Sequence, residues 1–408
     1  MRASFFGGIL CWALLGAGDL FAQTPAPANF SSNGLARTPP MGWNSWNTFK
    51  KEPNEALIKE IADAMVANGL QKVGYQYVNL DDFWNTGRDA KGRIIVDSVK
   101  FPHGMKAVAD YIHSKGLKAG IYTNIGTEAN YPTLASGGHY DEDMKTFADW
   151  GYDYVKVDVN FAKDRSEGAY TKEFTQVAEA IAKTGRPMVL NICNQGGGSY
   201  QHWAPALGNS WRVGGDIDHM PKGATTQWAG VLFELDRAAA VQAIAGPGHW
   251  NDADMMLVGV GSDGGRLTVM TPIEQQAHFS LWCMLATPLI IGNDLRHMTT
   301  ETLAILTNTE AIAINQDKLG EQARLLDEPT PGLQVWGKKL GSKTGHKYAV
   351  TLFNRSGAAA DITLDFNLLS LPGKASVRDV WAHKDLGKLA KQYTVRVPSH
   401  GVQLLVVE

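Results

Sequence analysis

The sequence predicts an α/β fold, a (β/α)8 TIM barrel followed by a C-terminal antiparallel β-sandwich domain. Three observations predict it. Up to about residue 322, strand-like segments alternate with helix-like ones, and eight such strands suit a closed parallel barrel. Polar residues collect at the C-terminal end of nearly every one of those strands. From about residue 325 the texture changes to short alternating strands with turn residues between them and no useful helical period.

The first strand is "MGWNSW" (41–46). A helical stretch follows over 54–68, with Leu57, Ile58, Ile61, Met65 and Val66 on one face and Gly69 as its stop. Then come "YQYVNLDD" (75–82), "KAGIYTNI" (118–125), "YDYVKVDVN" (152–160) and "PMVLNICN" (187–194). "WRVGGDI" (211–217), "HWNDADMM" (249–256) and "ATPLIIGNDL" (286–295) complete the series, with helical stretches at 104–114, 141–150, 170–183 and 274–285 between them. In the fourth strand Val155, Val157 and Val159 alternate with Lys156, Asp158 and Asn160, so the two sets take opposite faces. Burying an ammonium, a carboxylate and an amide in a row is costly unless they are paired, hydrated or used. A barrel resolves this: the valines meet the helices, and the polar face meets the mouth, where such folds build their sites.

The 408 residues, 44% of them hydrophobic, can bury a sizeable core and hold more than one domain. The sequence divides into a signal peptide (1–22), a polar leader (23–36), a barrel (37–322) and a β domain (325–408). Arg2, the short apolar run "FFGGILCWALLGAG" and "LFAQ", with cleavage after Ala22, mark the signal. They predict a secreted or periplasmic protein with no membrane partner in its mature form. A net charge of −3 offers no polybasic patch, so no nucleic-acid partner is expected. Cys11 falls in the signal, which leaves Cys193 and Cys283 as buried thiols. Nothing in the sequence sets the oligomeric state.

No H-x-H, H-E-x-x-H or Cys/His cluster supports a metal, no Gly-rich loop opens a helix after the first strand, and no G-x-S-x-G elbow is present. His249, beside Trp250, reads as structural. What remains is carboxylates among aromatic residues, equipment suited to sugars. Two carboxylates can divide a glycosidic cleavage into nucleophilic attack and proton delivery. Asp158, two residues from Lys156 on the same face, suits the ionised nucleophile. Asp216, after "WRVGG" with Arg212 near it, suits the proton donor and should carry a raised pKa.

The stretches "TPPMGWNSWNTF", "NLDDFW", "FPHGMKAVADYIHSKGLKAGIYT", "FADWGYDYVKVD", "WAPALGNSWR", "GHWNDADMMLVG", "SLWCMLATPLIIGNDL" and "AINQD" resemble the glycoside hydrolase family 27 α-galactosidases. The resemblance runs from about 37 to 320. It implies a retaining hydrolase of terminal α-galactosides on oligo- or polysaccharides, working by double displacement with no metal or organic cofactor. It places Asp158 on the nucleophile, Asp216 on the acid/base and Arg212 beside it. Lys156 falls on a sugar-hydroxyl contact, and Asp81 and Asp82 on the pair that binds O4 and O6. Trp46 and Tyr122 match the aromatic wall, and Asp254 the O2 and O3 side. Three departures stand out: Phe83 and Asn160 replace family cysteines, and "CNQGGG" (193–198) offers Asn194 and Gln195 where an acidic residue commonly reads the 2-position. Asn194 is taken as the contact there. Alternatives are a β-L-arabinopyranosidase or another glycosidase of the family, or a non-catalytic sugar-binding protein.

Overall fold

The computed structural model describes residues 33–127, 135–371 and 373–408. The signal peptide read at 1–22 and the leader up to residue 32 lie outside the described residues. Eight strands form the first sheet: β1 (Met41–Asn44), β2 (Tyr77–Asn79), β3 (Lys118–Gly126), β4 (Tyr154–Phe161), β5 (Val189–Cys193), β6 (Ser210–Arg212), β7 (Trp250–Asp252) and β8 (Leu289–Ile291). They pair in parallel in the order β8-β1-β2-β3-β4-β5-β6-β7. A bridge between Met256 and Ile291, with Met256 N donating to Ile290 O at 2.8 Å, joins the two edges.

The longer helices are α1 (Glu55–Ala67), α2 (Gly104–Ser114), α3 (Tyr140–Trp150), α4 (Glu167–Lys183), α5 (Gln227–Ala239) and α6 (Pro272–Leu285), followed by the short α7 (Thr300–Leu306) and α8 (Thr309–Asn315). α1 starts where Asn54 accepts from Leu57 N, and it buries Leu57, Ile58, Ile61 and Met65. α6 opens on a capping box from Thr271 and Glu274. Besides α7 and α8, two further elements have no counterpart in the sequence reading. One is α5; the other is a hairpin of Asn85–Arg88 with Ile94–Val96. β6, β7 and β8 are also shorter than the segments that announced them, so Asp216 and Asp254 stand on loops beyond the strand ends. Buried tryptophans hold the backbone beside the site: Trp84 Nε1 donates to Tyr122 O in β3 at 3.0 Å, and Trp282 Nε1 to Asp254 O beyond β7 at 3.0 Å.

The C-terminal strands are β9 (Arg324–Thr330), β10 (Leu333–Leu340), β11 (Lys347–Asn354), β12 (Ala360–Asp365), β13 (Lys374–Asp379), β14 (Lys384–Ala390), β15 (Gln392–Val397) and β16 (Val402–Val407). Six make an antiparallel sheet, β9-β10-β11-β16-β13-β14, and β12 pairs with β15. Alternation gives this sheet two apolar faces. Val335, Val350, Leu352 and Leu405 pack with Ile362, Leu364 and Phe366, whereas Trp336, Leu340, Phe353 and Leu404 join the barrel's own core.

Lys338 lies on that barrel-facing side, buried, its Nζ donating to Cys283 O at 3.1 Å. Burial lowers its pKa from 10.5 to about 8, with Cys283, Asp317 and Glu321 pulling the other way. The folded value lies below the unfolded one, so the unfolded chain holds the proton more tightly and stability climbs as pH rises between them. Lys338→Met should therefore stabilise the protein at neutral pH by about 2 kcal/mol, a gain that shrinks toward pH 10. Denaturant midpoints near both pH values check this; a constant gap would rule out the buried charge as the cause.

Candidate active site

β4 is the centre of the site. Its valines are fully buried toward the helices, and its polar face is paired residue by residue. Lys156 Nζ lies 2.8 Å from Asp81 Oδ2, which also accepts from Asn44 Nδ2 at 2.8 Å. Asp158 accepts from Tyr122 OH at 3.0 Å, from its neighbour's backbone, Val159 N, at 2.7 Å, and from Asn160 Nδ2 at 3.3 Å. A single pocket at the C-terminal ends of the strands is lined by Trp46, Asp81, Asp82, Tyr122, Lys156, Asp158, Asp216 and Asp254, with Asn47, Asn160 and Met255 beside them. All the residues chosen from sequence are there except Arg212 and Asn194.

Arg212 lies beneath the pocket floor, 2% exposed, and reaches it through carboxylates: 3.2 Å to Asp216 Oδ1 and 3.0 Å to Asp254 Oδ2. Asn194 turns away. Asn191 and Cys193 take the inward positions of β5, contacting Asp252 at 2.7 Å and Arg212 at 3.7 Å, so alternation sends Asn194 outward, where it bonds Gly197 O at 3.3 Å. Gln195, at φ 51°, brings the chain back. Its Nε2 donates to Asn160 Oδ1 at 3.1 Å and approaches Asp158 Oδ1 at 3.4 Å, so Gln195 holds the place expected of Asn194. Phe83, where the family carries a cysteine, stacks on Trp46 with centroids 6.2 Å apart and thickens the aromatic wall. Phe83, Gln195 and Asp254 all hold positive φ (69°, 51° and 74°), the kind of backbone strain that concentrates at functional sites. The sequence signal for Gln195 was faint: a non-glycine residue at the start of a Gly-Gly-Gly loop.

Comparison with known proteins decides the family. The model described as alpha galactosidase A matches residues 38–317. The chain belongs to this α-galactosidase family. A second model, described as alpha galactosidase C-terminal beta sandwich domain, matches 330–407. Alpha-galactosidase A of Cellvibrio japonicus is 43% identical over 390 residues, covering 91% of this chain and 92% of that protein. The alpha-galactosidase of Cyamopsis tetragonoloba is 39% identical, covering 92% and 88%. The crystal structure of alpha-galactosidase I from Mortierella vinacea superposes with a TM-score of 0.85 at 36% identity, covering 92% of this chain and 98% of the other.

The electrostatics of this α-galactosidase site separate its carboxylates. Burial raises Asp158, held back by Lys156, while Asp216 adds to the rise. Burial would also raise Asp216, but Arg212 and then Lys156 outweigh it and hold that carboxyl below its ordinary value. This departs from the raised value expected of a proton donor, and the reason is the arginine 3.2 Å away. Burial lifts Asp82 to about 7 against the Phe83 N–H, with Asp81 and Asp158 adding to it. Burial lifts Asp254 to about 6 against Arg212. Lys156 is held protonated despite burial by Asp81, Cys193 and Asp158. Cys193 and Cys283 are both free thiols. Among the described residues no group of three or more His, Cys, Asp or Glu is placed to hold a metal ion.

Proposed function

We propose that Asp158 is the nucleophile and Asp216 the general acid/base of a retaining exo-glycosidase that removes terminal α-D-galactosyl residues from oligo- or polysaccharides. The observation that carries this reading is one pocket in which two aspartates, each beside its own cation, differ in exposure: Asp158 is buried beside Lys156 under a hydrogen-bonded roof, and Asp216 stands on Arg212 with its side chain 39% exposed. In the first step an Asp158 oxygen attacks C1, the bond from C1 to the glycosidic oxygen breaks, and Asp216 gives that oxygen its proton. In the second, Asp216 takes a proton from water, whose oxygen attacks C1 and frees Asp158. The low resting value of Asp216 suits its basic half-cycle. A sugar ring covering its exposed face removes water and pushes the carboxyl up, which suits the acidic half.

Asp81 and Asp82 are adjacent acceptors for the axial O4 and the O6 of galactose on one side of the ring. A site that hydrogen-bonds hydroxyls in this way rejects the epimer that leaves its groups unpaired. Gln195 and Asn160, joined beside Asp158, are read as the amides that meet the sugar's O2. The barrel, 37–322, is taken as the catalytic unit and the β domain, 325–408, as its packing partner. The signal peptide supports export to a periplasm or the exterior, and among the described residues no helix is long and apolar enough to cross a membrane.

The test is initial rates of the mature chain on p-nitrophenyl α-D-galactopyranoside and β-L-arabinopyranoside in parallel. A clear galactoside preference is expected. Preference for the arabinoside would keep the mechanism and overturn the O6 assignment; turnover of neither would overturn the enzyme reading.

A further inference from the structure

Glu234, on α5, has no part in the chemistry above. It is fully buried, and neither carboxyl oxygen has a hydrogen-bond partner among the described residues. Such groups are rare in folded proteins and costly to keep. Its place is specific. A Cβ built on Gly214 would lie 2.1 and 2.2 Å from the two Glu234 oxygens, so the carboxyl fills the space where any other side chain at 214 would begin. Gly214 belongs to the turn that carries the chain from β6 to Asp216. α5 grips the same turn twice more. Gly230, one helical turn before Glu234, comes so near Ile217 that a Cβ there would meet its carbonyl oxygen at 1.9 Å. Arg237 Nε donates to Val213 O at 3.2 Å. On the opposite side, Asp254 Oδ2 accepts from Ile217 N at 2.8 Å. Residues 213–217 thus run along one face of α5, with Asp216 held between the grips.

We propose that Glu234 is a positioning residue for proton transfer: acting through Gly214, it sets where the Asp216 carboxyl stands between Arg212 and the leaving oxygen. The proposal rests on the reading of Asp216 as acid/base. The charged and titratable groups facing Glu234 are Arg212, Asp254, Asp252, Arg237 and Tyr200. Burial raises its carboxyl well above the usual range against the pull of Arg212. It therefore buttresses the turn as a neutral group and leaves Arg212 to Asp216 and Asp254.

The experiment compares leaving groups. An alkyl or sugar α-galactoside needs the proton from Asp216; a dinitrophenyl α-galactoside does not. Glu234→Ala should lose about 10²-fold in kcat/KM, which reports the leaving-group step, on the alkyl substrate while staying within about threefold on the dinitrophenyl one. Glu234→Asp, which withdraws the carboxyl by one methylene, should show the same bias in milder form and serves if the alanine variant does not fold. Glu234→Gln, neutral and of the same shape, should restore wild-type behaviour on both. Equal losses on the two substrates, or no loss, would overturn the positioning role. Asp216→Asn runs alongside. If it shows the leaving-group bias and Glu234→Ala does not, Glu234 alone is misassigned; if Asp216→Asn lacks the bias, the acid/base reading falls and this proposal with it.

Discussion

Replacing Asp158 by Asn is expected to reduce turnover of an aryl α-galactoside by about 10⁴-fold or more, because no covalent intermediate can form. The fold should tolerate the change. Asn keeps the shape: its amide oxygen can take the place of Oδ1 and accept from Val159 N, the 2.7 Å contact, while its NH2, in the place of Oδ2, can donate to the Tyr122 hydroxyl, the 3.0 Å contact. Burial already works against the charged form of Asp158, so melting should move by no more than about 1 kcal/mol in stability. Stereochemistry separates this role from its rival. Asp158→Gly with azide should give the β-galactosyl azide, since azide would enter from the face the nucleophile has vacated. An α-azide product would mean that Asp158 is the acid/base and that the two assignments must be exchanged.

Lys156→Met should be the most damaging change in the pocket for folding and chemistry together. The ammonium sits 2.8 Å from Asp81 and on the same strand face as Asp158. Its loss leaves buried carboxylates unpaired, a change worth about 3–5 kcal/mol of stability. The direction with pH follows. Burial already raises Asp158 above its ordinary 3.8, and without Lys156 it rises further. The folded variant then binds a proton that the unfolded chain gives up more readily, so its deficit grows as pH climbs through the folded pKa and eases in acid. Activity should move the same way, with the acid limb of kcat/KM shifted upward and a fall of about 10²-fold at neutral pH. Melting curves near pH 4.5 and pH 7, with a pH–rate profile, check both; a deficit independent of pH would mean that packing, not charge, is what Lys156 supplies.

Much of this was legible in the sequence because it depends on period. The Val/polar alternation of 154–160, the apolar stripe of α1 and the change of texture past residue 325 are local patterns, and each became the element it announced. What escaped depends on partners distant in the chain. α5 was hidden because Gly230 weakens a helical pattern, and the need for that glycine is the Ile217 carbonyl pressed against it. Asn194 and Gln195 could not be told apart by residue type; a positive φ at 195 decided which amide turns toward Asp158. The depressed Asp216 followed from a distance to Arg212 that spacing alone does not give. Phe83 was noticed only as a missing cysteine, yet its ring backs Trp46.

α6 buries a continuous run from Ala277 to Leu285, because one side of it serves the barrel while Trp336, Phe353 and Leu404 of the sheet enter the same core. Two family models divide the chain near residue 320, but the apolar cluster ignores that division. The molecule therefore matches two family models, while its shared core predicts that both parts melt as one unit. A chain severed at that border would leave an aggregation-prone surface on each fragment. Swapping β domains among relatives would have to carry the outer face of α6 along with the sheet.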